Sequence, residues 1–251
     1  MSHNRIQSLF DRLTADNPPF LPTELYCEGW LLRLVLDWFE ESQIQGHALS
    51  FASDACWYSE PSLESPFLYN NPEVDKPIKE GYTRGDGVIG HVQMAIDDTK
   101  SKLGLLPSAS QFLVLEAKIS SSLSYKVTNA PFYDQAARNI ACLAQICMSA
   151  NVLPSNIDAI GFYILGSDKH IERGLYRDLL TTDHIKSTVK RRVEMYDGTK
   201  DKWHENWFLP LMDVIDIQEI SWESIITYIT QNDADSGAEL AEFYARCLQY
   251  N

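Results

Sequence analysis

The chain has 251 residues, 45% hydrophobic and 11% aromatic, a composition that excludes an intrinsically disordered protein. Its 21 lysines and arginines stand against 35 acidic residues, and the net charge of −14 argues against a protein held on nucleic acid mainly by a basic surface. The length suits one large domain or two small ones, with ample chain for a buried core.

The first residues, MSHNRIQSLFDRLTADNPP, carry polar side chains throughout, so no secretory signal is expected. The longest apolar runs, LLRLVL and FLVL, fall far short of a membrane span. Cys27, Cys56, Cys142, Cys147 and Cys247 form no CxxC pair and have no histidines at zinc spacing. They read as buried free thiols, and the chain reads as a soluble, cytoplasmic protein.

After a short amphipathic start (Ile6, Leu9, Phe10, Leu13), DNPPFLP breaks the chain. Thr23 then suits the N-cap of a helix over ELYCEGWLLRLVLDWFEE, whose apolar positions Leu25, Leu31, Leu32, Val35, Trp38 and Phe39 form one stripe. Glu28 lies near the edge of that stripe. ALSFASDACWYSE alternates in part and suits a strand, whereas residues 69–82, polar with two prolines, suit a surface loop. GDGVIGHVQMAI reads as a second strand and SKLGLLPSAS as a connection. In SQFLVLEAKI the continuous run Phe112–Leu115 predicts a central strand buried on both faces. A second helix is expected after Asn129-Ala130-Pro131, with Asn129 as cap, then a buried strand over 159–166. Residues 170–196 and SWESIITYI read as helical. The order helix, three strands, helix, strand predicts a single α/β domain over 1–251 with a mixed sheet. Its core spans about 23–166, and residues 167–251 would add helices and an acidic tail.

Charge is uneven along this layout. Residues 208–251 carry one basic and eight acidic side chains, whereas residues 161–207 carry nine and eight. The only dense basic run, Lys186, Lys190, Arg191 and Arg192, lies in that middle block. It suits either a solvated helix face or a nucleic-acid contact.

The residues best suited to chemistry are Glu116-Ala117-Lys118, at the end of the strongest strand. Alternation puts Glu116 and Lys118 on one face, where a carboxylate can hold a hard cation and an ammonium can orient water beside a phosphate. A strand-end ion pair would use the same residues. Asp98-Thr99-Lys100 repeats the spacing without a buried strand before it and reads as a turn. Upstream, Asp86 sits between Gly85 and Gly87, a context that also fits a simple turn. Asp54 is the rival strand carboxylate. Downstream, Gln135 and Arg138 open the next helix, where Arg138 could pair with Asp134. Histidines at HxH or HExxH spacing and the GxSxG and Walker A motifs are missing.

In this order the chain resembles the PD-(D/E)xK nuclease superfamily, whose core is αβββαβ, over roughly residues 23 to 166. WLLRLVLDWF, WYSE, GHVQ, FLVLEAK and TNAPFYDQAARN resemble an uncharacterised bacterial group within it. The resemblance implies a restriction-endonuclease-like fold and a Mg²⁺- or Mn²⁺-dependent nuclease, acting on DNA more than RNA. It implies that Asp86 and Glu116 bind the metal with the Ala117 carbonyl, that Lys118 positions the water, that Glu28 holds the metal through water, and that Gln135 hydrogen-bonds the site. Glycine, not proline, precedes the aspartate, a departure from the superfamily signature. The acidic balance implies weak affinity for bulk DNA, and hence a basic protein partner or a homodimer groove. Two other readings remain: a catalytically inactive protein of this fold serving as an interaction module, and an acidic DNA mimic.

Overall fold

The computed structural model describes residues 21–67, 80–81, 83–97, 100–124 and 130–251. Asp98, Thr99, Asn129 and most of the loop 69–82 lie outside the described residues.

A five-stranded mixed sheet organises the molecule. It comprises β1 (Cys56–Ser59), β4 (Gly87–Gly90), β7 (Gln111–Ala117), β8 (Ala159–Gly166) and β9 (Asp216–Ser221), side by side in that order. The first three strands run antiparallel, and β7, β8 and β9 run parallel. Two further antiparallel strand pairs are formed, β2 (Ser62–Leu63) with β3 (Thr83–Arg84), and β5 (Val92–Asp97) with β6 (Lys100–Leu105).

Helix α1 (Glu28–Ser42) buries Leu31, Leu32, Val35, Leu36 and Phe39 and stops where Gln43 turns left-handed. Helix α2 (Gln135–Ala150) makes the crossover from β7 to β8, which parallel strands require. Helices α3 (Thr182–Glu194), α4 (Trp222–Asn232) and α5 (Ala234–Tyr250) complete the layers.

The sheet divides the core in two. Phe112 and Val114 of β7 face a cluster that includes α2 and α3, whereas Leu113, Leu115 and Ala117 face one built by α1, α4 and α5. Both faces of β7 are therefore covered, which explains its unbroken apolar run. Gly87 allows α1 its close approach, since a Cβ there would meet Leu32 Cδ2 at 3.0 Å.

Several sequence expectations are corrected. The first helix breaks at Tyr26-Cys27 into a short turn, Pro22–Leu25, and α1, because Tyr26 turns aside to pack on Phe243 and Tyr250. Glu28 consequently stands in the first turn of α1. Residues 85–96 do not form one strand: Gly90, at φ +154°, ends β4, and the chain leaves to build β5 and β6, the latter within the expected connection. Asp134, not Asn129, caps α2, accepting from the Ala137 amide at 3.0 Å. Residues 167–251 supply β9 to the central sheet, and 234–250 of the acidic tail are helix α5, packed on α1 and α4. Of the five free cysteines, Cys142, Cys147 and Cys247 are buried and Cys27 and Cys56 are half-buried. Burial pushes the thiols of Cys142 and Cys147 up to about 12, so they stay protonated and unreactive. No helix among the described residues is long and apolar enough to cross a membrane.

Candidate functional site

The acidic and basic side chains meet where β4 begins and β7 ends. Gly87 pairs with Leu115 in the antiparallel ladder, and continuing that register by one residue sets Asp86 across from Glu116. Opposed residues share a face of the sheet, so both carboxylates lie on the side of α2. The Ala117 amide fixes Asp86, donating to Oδ2 at 2.8 Å. An extended residue turns its N–H and C=O toward the same edge, so the Ala117 carbonyl also lies on the Asp86 side. Asp54, the rival, sits in a left-handed turn before β1, exposed and in contact with Ser53.

Lys118 reaches both carboxylates, with Nζ 2.5 Å from Glu116 Oε1 and 3.7 Å from Asp86 Oδ2. Its backbone is held at both ends: the amide donates to Leu165 O at 2.8 Å, and the carbonyl accepts from the buried Trp222 indole at 2.9 Å. Glu116 is fully buried and accepts from two amides of α2, Gln135 Nε2 on Oε1 at 2.5 Å and Asn139 Nδ2 on Oε2 at 3.0 Å. Gln135 also accepts from the Ser124 amide at 3.2 Å, so both ends of its side chain are used. Asn139, which the sequence reading did not single out, has a buried Oδ1 with no hydrogen-bond partner. Such an orphan costs about 1–3 kcal/mol. Glu28, half-buried at the start of α1, makes no ion pair with Lys118, yet its charge helps raise the Lys118 pKa.

Burial pushes the Glu116 carboxyl up to about 8, and the Asp86 charge adds to this, while Lys118 opposes both. Burial alone would lower the Lys118 ammonium, but the charges of Glu116 and Asp86 outweigh it and the net shift is upward. The unfolded chain would ionise Glu116 near 4.5. Between that value and about 8 the folded state binds the extra proton, so stability from this group is complete below about 4.5 and is lost as pH rises through about 8. Wild type should accordingly lose stability relative to Glu116→Gln over this window, with a slope no steeper than about 1.4 kcal/mol per pH unit. Urea denaturation of both proteins at several pH values checks this; parallel stability curves would contradict it.

The donor set, two carboxylates and a carbonyl, consists of oxygen ligands and suits a hard divalent cation. Among the described residues, no group of three or more His, Cys, Asp or Glu side chains is placed to hold a metal.

The basic run does not form a common surface. Arg192 is fully buried, donating from Nε to Glu80 Oε1 at 3.1 Å, so its expected role in substrate binding is withdrawn. The neighbouring α3 residues Thr188, Val189 and Val193 are buried too, and helical periodicity turns Arg192 inward with them. Lys186 pairs with Asp213 at 3.4 Å, Arg191 is exposed and stacks on Phe132 at 3.9 Å, and Lys190 is exposed. Arg138 pairs with Glu80, not Asp134; the latter instead contacts His184 Nε2 at 2.8 Å.

These observations define an α/β protein with a buried carboxylate–lysine cluster at the ends of its central strands. No protein-family model matches the chain, and the comparisons with curated proteins and with solved structures found no match.

Proposed function

We propose that the chain is a metal-dependent nuclease of restriction-endonuclease-like fold, hydrolysing phosphodiester bonds in DNA more than in RNA. One observation carries the reading: a buried Glu116 stands across from Asp86 at the strand ends, with the Lys118 ammonium in reach of both. The element order of the central sheet, α1, β1, β4, β7, α2, β8, supports the fold assignment.

Asp86, Glu116 and the Ala117 carbonyl would hold Mg²⁺ or Mn²⁺, which when bound supplies Lewis-acid polarisation of a phosphoryl oxygen and acidifies water. Lys118 orients the attacking water and shares the charge that develops on the phosphate. Gln135 fixes the Glu116 carboxylate, and Glu28 adds negative potential from the α1 side. Exposed Arg84 stands two residues before Asp86, 4.0 Å from Glu60. The overall charge of −14 opposes tight binding to bulk DNA, so substrate delivery relies on a basic partner protein or a dimer groove.

Purified protein incubated with plasmid, linear and single-stranded DNA and with RNA should cleave at least one of them with Mn²⁺ or Mg²⁺ and none with EDTA. Failure to cleave any form would refute the proposal. The second reading, an inactive protein of this fold serving protein contacts, draws on the same ion pair. Lys118 already neutralises Glu116 directly, and such a contact needs no metal. Saturable Mn²⁺ binding that Asp86→Asn abolishes favours the nuclease over the interaction module.

A further inference from the structure

The geometry points to Asn139 as a positioning residue that fixes Oε2 of the metal-binding Glu116, while Gln135 and Lys118 engage Oε1. The inference rests on the metal site proposed above.

Gln135 and Asn139 are four residues apart on α2, so their side chains lie one above the other on the face toward β7. Gln135 serves two partners, Glu116 and the Ser124 amide. Among the described residues Asn139 has the single side-chain contact to Glu116, and its carbonyl end is left unsatisfied in the core. Packing does not explain such a residue. It is fully buried, and leucine would fill a similar volume and remove the orphaned Oδ1, but only by taking the donor away from Glu116 Oε2. The amide is accounted for by what its N–H does. A carboxylate with donors on both oxygens cannot rotate about its terminal bond, and the lone pairs left free are held in one direction. Outer-shell hydrogen bonds of this kind orient ligating carboxylates.

The experiment is Mn²⁺ titration by electron paramagnetic resonance at pH 8.5, alongside thermal unfolding. Asn139→Leu should bind Mn²⁺ about 10–100-fold more weakly than wild type, with thermal unfolding showing that the variant remains folded. Asn139→Asp keeps the shape without the donor, sets a second charge against Glu116, and should bind at least as weakly. Leucine-variant affinity within twofold of wild type, or tighter binding by the aspartate variant, would overturn the positioning role alone. Absence of saturable binding in wild type would instead overturn the metal site and this inference with it.

Discussion

Lys118→Met should lower metal-dependent turnover by about 10²–10³-fold, the usual consequence of removing one group that stabilises charge in a transition state. Methionine keeps most of the stem, and the hydrogen bonds to Leu165 and Trp222 use the backbone of residue 118, so they survive. What disappears is the ammonium 2.5 Å from Glu116 and 3.7 Å from Asp86. Without it Glu116 has lost the influence that opposes burial, and its carboxyl rises above about 8. The variant therefore stays folded with Glu116 protonated at neutral pH, instead of enclosing an uncompensated charge. Measuring turnover at pH 7 and again at pH 9 separates the two consequences. Protonation of Glu116 weakens metal binding and is opposed by rising pH, whereas loss of the ammonium's part in the chemistry persists at saturating metal. A variant that regains full activity at pH 9 would show that Lys118 only tunes Glu116. Unchanged activity at both values would remove Lys118 from the mechanism.

How far the site was legible follows from which physical rule governs each residue. Glu116 and Lys118 could be placed on one face because alternation along a strand is strict and the preceding run Phe112–Leu115 identifies a strand. Choosing Asp86 over Asp54 rested on glycine context and resemblance; in the fold it is decided by antiparallel register, which a single strand does not encode. The sequence marks Gln135 and not Asn139, although both lie on one helical face. In α2 they stand among alanines, and sequence alone does not tell a polar residue facing a buried partner from one facing water. Strand β9 escaped detection because it is an edge strand of mixed burial: DIQEIS has neither a continuous apolar run nor clean alternation. Hairpin β5–β6 was lost because the bend at Gly90 interrupts what reads as one strand.

The acidic total also takes on a different meaning once side chains are placed. Glu116, Glu80 and Asp134 are buried and paired with cationic or histidine side chains, so they add little to the field outside. Helix α5 carries Asp235, Glu239 and Glu242 exposed on the opposite side of the sheet from α2. The sheet therefore separates this helix from the face on which Asp86 and Glu116 meet.

Arg192→Leu should destabilise the fold by about 3 kcal/mol, the lower end of the range for removing one partner of a buried ion pair. The guanidinium is fully enclosed, 3.1 Å from Glu80 Oε1, and donates to Met195 Sδ and the Tyr196 hydroxyl at 3.4 and 3.3 Å. It lies 5.1 Å from the Phe67 ring centre and 5.3 Å from that of Tyr196. The pair thereby fastens Glu80, whose amide donates to Phe67 O, onto α3. Glu80 keeps Arg138 at 3.4 Å and the Ser65 hydroxyl at 2.9 Å, which is why the lower end applies. Pairing the change with Glu80→Gln should recover part of the loss, because the remaining charge is what makes the single variant costly. Lys190→Ala, at an exposed position, should stay within about 0.5 kcal/mol of wild type. Urea titrations of the four proteins test the pattern. The salt dependence of any nucleic-acid binding should be the same in wild type and Arg192→Leu, since a residue without access to phosphate releases no counterions. A shallower slope in the arginine variant, with stability unchanged, would return Arg192 to the binding surface.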